Sequence, residues 1–133
     1  MTTTAIKSSN NVATILLVED EPINQFVVGE MLKKAGCAFD LAENGIEAFK
    51  LATSHLYKLI LMDYELPDMT GIEVTSKIRS SDPQNHVPIV ALTSHTEQKI
   101  KDQCFKSGMD GFANKPINQA DLFSLINQYV TVN

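Results

Sequence analysis

The chain has 133 residues, 44% of them hydrophobic and 20% charged, with a formal net charge of −5. That length suits one domain with its own apolar core, and an acidic balance without a run of Lys or Arg argues against direct nucleic-acid binding. No apolar run approaches the ~20 residues that cross a bilayer, and Cys37 and Cys104 lack the number and spacing of a disulfide or zinc framework, so both read as small buried thiols.

Residues 1–12 are rich in Thr, Ser and Asn and read as a disordered tail or linker. They lack the apolar centre of a signal peptide, which points to the cytoplasm. Residues 13–131 read as the folded domain. A first strand is expected over 14–18, followed by a helix that opens at Glu21-Pro22, where proline suits the first turn. Ile23, Val27 and Met31 stack on its core face, and Gly36 ends it. A second strand over 38–42 leads to a helix after Asn44 with Ala48, Phe49 and Ala52 inward. The third strand, 59–62, precedes a helix from Thr70-Gly71 that carries Ile72, Thr75 and Ile78 toward the core. The fourth, 88–92, precedes a helix from Thr96-Glu97 with Ile100 and Cys104 inward and a stop at Gly108. The last strand, 111–114, precedes a helix from Asn118 to Val130 with Leu122, Leu125, Ile126 and Tyr129 on one face.

Strands one, three and four are apolar throughout rather than alternating, the pattern of parallel strands covered on both faces. Five strands alternating with five helices predict an α/β fold, a doubly wound five-stranded parallel sheet. Its ligand site should lie beyond the carboxyl ends of the strands. Those ends carry Glu19-Asp20, Asp63, Thr93-Ser94 and Lys115-Pro116. Taken singly each has a plain reading: Asp20 as a helix cap, Lys115 as a solvated side chain. Taken together, three converging carboxylates call for a cation, and an all-oxygen set suits Mg²⁺. A hydroxyl and an ammonium facing the same point complement an anion with three oxygens. The set describes a magnesium-dependent phosphoryl site.

The segments LLVEDEPINQ, LAENGIEA, LILMDYELPDMTGIEV, PIVALTS and SGMDGFANKPI, in this order across residues 14–130, resemble the receiver domains of response regulators, most of all those of hybrid sensor histidine kinases. The resemblance implies the flavodoxin-like (βα)5 receiver fold and a phosphorelay role, with Asp63 taking a phosphoryl group from a phosphohistidine. It implies that Asp20 holds Mg²⁺ directly, Glu19 through water, and the backbone carbonyl of Glu65 completes the shell. The pair is Glu-Asp here where Asp-Asp is also found in the family. Thr93 falls at the phosphoryl-binding hydroxyl, Lys115 at the ion-pairing lysine before a cis proline, and Phe112 at the aromatic switch; as a residue, Phe112 also reads as an ordinary core aromatic. Glu65 and His95 take the positions that tune dephosphorylation, whereas His55 and His86 read as solvated. The implied partners are a sensor histidine kinase, a histidine phosphotransfer protein, or both. No nucleic acid or membrane is expected, and the implied state is a monomer or a weak dimer formed on phosphorylation. The domain would be a phosphoacceptor, not an enzyme, and would promote only its own phosphorylation and dephosphorylation.

Two other classes compete. Asp63-Tyr64-Glu65 resembles the acid-x-acid signature of haloacid-dehalogenase phosphohydrolases, but their nucleophile follows the first strand and their second acid is Asp. A nucleotide- or flavin-binding module of similar topology would need a glycine-rich phosphate loop after the first strand, and none is there.

Overall fold

The computed structural model describes residues 14–81 and 86–130. The tail read over 1–12, and the domain bounds at 13 and 131, lie outside the described residues. Ten elements alternate in chain order: β1 (Ile15–Val18), α1 (Pro22–Lys34), β2 (Phe39–Ala42), α2 (Gly45–Ser54), β3 (Leu59–Asp63), α3 (Gly71–Ser81), β4 (Ile89–Thr93), α4 (Gln98–Ser107), β5 (Gly111–Asn114) and α5 (Gln119–Tyr129). All strands are parallel, in the order β2-β1-β3-β4-β5. The expected doubly wound α/β sheet is therefore present, with β3 and β4 each reaching one residue further than read, to Asp63 and Thr93.

Alternate residues of the strands feed two cores. Leu16, Val18, Ile60, Met62, Ile89 and Ala91 face α2, α3 and α4, where Ala48, Ala52, Val74, Ile78 and Cys104 meet them. Ile15, Leu17, Leu59, Leu61, Val90 and Leu92 face α1 and α5, where Val28, Leu32, Leu122 and Ile126 close the second core. The central strands β1, β3 and β4 are buried along their whole length, which is why their sequences do not alternate. Local signals set the helix starts. Pro22 opens α1; Asn44 Oδ1 accepts the Glu47 N–H at 2.8 Å and Glu47 Oε1 accepts the Glu43 N–H at 2.7 Å at α2; Asn118 caps α5 through the Asp121 N–H at 2.8 Å. Gly108 ends α4 at φ 113°, a conformation that favours glycine.

The expected inward face of α1 is corrected. Ile23 is 74% exposed and Val27 41%, Met31 is only half-buried, and Val28, Gly29 and Leu32 turn to the sheet instead. Gly29 lies on the face turned to the sheet: a Cβ there would lie 2.8 Å from the tip of the Phe39 ring on β2. On α3, Val74 joins Thr75 and Ile78 in the core, and Ile72 is half-buried beside them. Phe49, Ile100, Leu125 and Tyr129 pack half-buried against the cores. Both cysteines are free; Cys104 is buried as expected, whereas Cys37, at the turn after α1, is half-buried.

Candidate functional site

In a parallel sheet of this order the chain turns to opposite sides of β1, and the carboxyl ends of β1 and β3 open a crevice there. Two acids follow β1. Glu19 is fully buried: its Oε2 accepts the Glu21 N–H at 3.0 Å and its Oε1 forms an ion pair with Lys115 Nζ at 3.1 Å. Asp20, half-buried, faces the crevice. Asp63 ends β3 and is 4% exposed, with Lys115 Nζ donating to its Oδ1 at 3.2 Å. Lys115 reaches in from the end of β5, and its peptide bond to Pro116 is cis. Carboxylate oxygens of Glu19, Asp20 and Asp63 all lie within 4.8 Å of one another. A cleft of about 270 Å³ opens over them, lined by Asp20, Glu21, Asp63, Glu65, Leu66, Pro67 and Lys115.

The electrostatics are those of a site short of positive charge. Burial, then the charge of Glu19, pushes the Asp63 carboxyl up to about 7, with Asp20 adding to the rise and Lys115 opposing it. Burial pulls the Lys115 ammonium down, but the charges of Asp63 and Glu19 outweigh it and move the group up. An acid and a base that both move up share one surplus of negative charge. Three oxygen-donor acids with that surplus fit a hard divalent cation such as Mg²⁺.

Of the remaining expected residues, Glu65 also lines the cleft, and Thr93 and Phe112 lie on the neighbouring strands β4 and β5. Thr93, at the end of β4, is buried, and its Oγ1 accepts the His95 N–H at 3.0 Å. Glu65 and His95 come together: His95 Nε2 lies 3.4 Å from Glu65 Oε2, its Nδ1 lies 3.6 Å from Glu97 Oε1, and its ring meets Tyr64 edge-on at 5.1 Å. Glu97 and Tyr64, which complete this cluster, were not singled out in the sequence; only their nearness to His95 and Asp63 in the chain hints at it. Phe112 is half-buried on β5, 5.6 Å from the ring of Phe105, with Lys101 Nζ 5.6 Å above it. Phe105, an exposed aromatic on α4, was likewise missed. His55 and His86 are exposed, as expected.

Fold and site together define a domain of the signalling type that carries an acid cluster at the carboxyl edge of a (βα)5 sheet. The family model for the response regulator receiver domain matches residues 15–127, and the chain belongs to that family. It is thus a receiver domain of two-component and phosphorelay signalling. It is 39% identical over 131 residues, 90% of this chain, to hybrid signal transduction histidine kinase B of Dictyostelium discoideum. The receiver domain of a sensor histidine kinase from Pseudomonas aeruginosa PAO1, solved with a magnesium ion coordinated in its active-site cleft, superimposes with a TM-score of 0.81 at 36% identity, covering 89% of this chain and 97% of that one. The receiver domain of the response regulator Ssk1, solved with the histidine phosphotransfer protein Ypd1 of Saccharomyces cerevisiae, gives 0.82 at 34% identity, covering 90% and 89%. The chain spans 7%, 15% and 16% of the lengths of three kinases it matches. Among the described residues, no helix is long and apolar enough to cross a membrane.

Proposed function

We propose that the chain accepts a phosphoryl group on Asp63 from a phosphohistidine and passes the signal on through its surface. The observation that carries this reading is the state of Asp63: a buried carboxyl at the end of the central strand, one oxygen held by Lys115, at the floor of an open acidic cleft. A carboxylate oxygen of Asp63 attacks phosphorus; the bond from phosphorus to the donor imidazole nitrogen breaks, and its electron pair returns to the imidazole. Lys115 holds the carboxylate in place and faces the charge on the transferred oxygens. Asp20 and Asp63, the backbone carbonyl of Glu65, and Glu19 from behind are the groups that would hold Mg²⁺. When bound, the cation neutralises the cluster and the phosphoryl oxygens. The exposure of Asp20 to the cleft, against the burial of Glu19 behind Lys115, supports a direct role for the former and an outer one for the latter.

Thr93 can turn its O–H toward a phosphoryl oxygen, since in the resting arrangement the hydroxyl oxygen accepts and its proton is left to donate. That movement would free space on the α4 side of the sheet for Phe112, changing the surface formed by α4, β5 and α5. The partner class is a histidine kinase or a histidine phosphotransfer protein. Beside the similarity to a receiver solved with such a partner, the exposed apolar stripe of Ile23, Phe26 and Val27 supports it, since α1 starts one residue after cleft-lining Glu21. The phosphohydrolase alternative needs Glu65 as an acid over Asp63, and the Glu65 carboxylate instead pairs with His95.

Acetyl phosphate with Mg²⁺ is expected to add one phosphoryl group, at Asp63, seen by intact mass and peptide mapping. Equal labelling of Asp63→Asn would overturn the assignment. Asp20→Asn is expected to lower labelling more than Glu19→Gln, and the reverse order would reject the division between them.

A further inference from the structure

The loop between Asp63 and α3, residues 64–70, forms one wall of the cleft through Glu65, Leu66 and Pro67. Its shape is fixed from within. Glu65 and Thr70 pair across it, the Gly71 N–H donates to the Tyr64 carbonyl at 2.7 Å, and Thr70 and Glu73 exchange the bonds that start α3. Internal bonds of this kind set a loop's shape but not its bearing on the rest of the fold. At its start, the Tyr64 N–H bonds the Leu92 carbonyl at 3.2 Å. At its far end Asp68 reaches to another element: its two oxygens accept the N–H groups of Gly45 at 2.7 Å and Ile46 at 2.9 Å, in the first turn of α2. Desolvation of the Asp68 carboxyl is outweighed by the N–H groups of Gly45, Ile46, Asp68 and Met69, which hold it below its ordinary value. The same junction is also packed. Gly45 has no side chain, and a Cβ there would lie 2.5 Å from Met69 Cγ and 2.9 Å from Val74 Cγ2.

We infer that Asp68 is a positioning residue: by clamping the loop to the start of α2 it sets where the Glu65 carbonyl stands against Glu19, Asp20 and Asp63, and so sets the affinity of that cluster for a divalent cation. This rests on the reading of the cluster as the Mg²⁺ site. A carboxylate is the residue for the task. It offers two oxygens to two parallel N–H groups, and its charge suits the positive end of a helix. The partners are 22 and 23 residues away in sequence, so the clamp is a tertiary device rather than a local cap. Groups that orient metal ligands typically change metal affinity 10- to 100-fold when removed.

The test is a Mg²⁺ titration of the full chain followed by backbone amide shifts, with a thermal melt of each variant in EDTA. Asp68→Ala is expected to raise the half-saturating Mg²⁺ concentration about tenfold and to shift the amides of residues 64–66 and 68–70 before metal is added. Asp68→Asn keeps one acceptor for the two N–H groups and none of the charge, and is expected to recover only part of that affinity. Asn44→Ala removes the N-cap of the same helix without touching the loop; it is expected to lower the melting temperature and leave Mg²⁺ affinity unchanged. Unchanged affinity in Asp68→Ala, or equal losses in Asp68→Ala and Asn44→Ala, would overturn the inference. Asp20→Asn separates the two levels: if it binds Mg²⁺ like the parent, or the parent binds none, the metal site itself is misread and the inference falls with it. If Asp20→Asn fails to bind and Asp68→Ala binds normally, only the clamp is wrong.

Discussion

Replacing Asp63 with an uncharged residue should stabilise the metal-free protein. Asp63 has an ordinary value of 3.8 and is pushed up to about 7 by burial and by Glu19. The folded state therefore holds this proton to higher pH than the unfolded chain does. The fold loses stability as pH rises from about 4 through about 7, and keeps that deficit above it. Each unit between the two values is worth about 1.4 kcal/mol, so full ionisation costs the fold on the order of 4 kcal/mol. Against the usual 5–15 kcal/mol for a domain, that is a large fraction. Asp63→Asn removes the charge and keeps an oxygen for Lys115. In EDTA at pH 8 the variant should be more stable by roughly 2–4 kcal/mol, and about 2–3 kcal/mol of that gain should vanish by pH 5, where the parent holds its proton.

Urea unfolding followed by circular dichroism reads this directly, and a melting shift of about 3–5 °C per kcal/mol is the corresponding thermal signal for a domain of this size. A Mg²⁺ ion held by the acid cluster would supply the missing positive charge, so at ten times its dissociation constant it should stabilise the parent by about 1.4 kcal/mol and Asp63→Asn by less. If the variant were no more stable than the parent at pH 8 without metal, or its advantage did not change with pH, the account of the site as charge-deficient would be wrong.

Three further outcomes follow from the contacts. Gly71→Ala would drive a Cβ into the carbonyl oxygen of Asp63, with Met62 Cγ at 3.0 Å; the loss should be about 1–3 kcal/mol by urea unfolding, with slower labelling by acetyl phosphate, and wild-type stability would refute the contact. If Phe112 reports phosphorylation, crystals grown with and without beryllofluoride should differ in its rotamer and in the loop after β4; the same rotamer and loop in both would reject the switch. Because Glu65, His95 and Glu97 form one linked cluster beside the cleft, Glu65→Ala and His95→Ala should each alter the decay of phospho-Asp63 several-fold, the scale of a positioning effect, and half-lives equal to the parent's would mean these side chains do not govern the attacking water.

How much of this was legible in the sequence depends on how far apart the cooperating residues lie. Asp20, Asp63, Thr93 and Lys115 could be found because each lies at or just past the carboxyl end of a strand, and a parallel sheet brings all such ends to one edge. No long-range pairing has to be guessed. The face of α1 was misread for a local reason. Phe26-Val27-Val28 is a continuous apolar run, so Ile23–Val27–Met31 and Val28–Leu32 both satisfy helical spacing. Periodicity cannot choose between them; in the fold Gly29, on the Val28–Leu32 face, lies close against Phe39. The stripe left outside, Ile23, Phe26 and Val27, is exposed on the helix that begins one residue after cleft-lining Glu21. Asp68 was invisible for the opposite reason. Nothing near it in the chain distinguishes it from a solvated turn acid, and its partners are backbone N–H groups, which carry no residue identity for a sequence pattern to register. The chemistry of the site is thus written at the strand ends, while the bonds that hold its wall in place are written only in the fold.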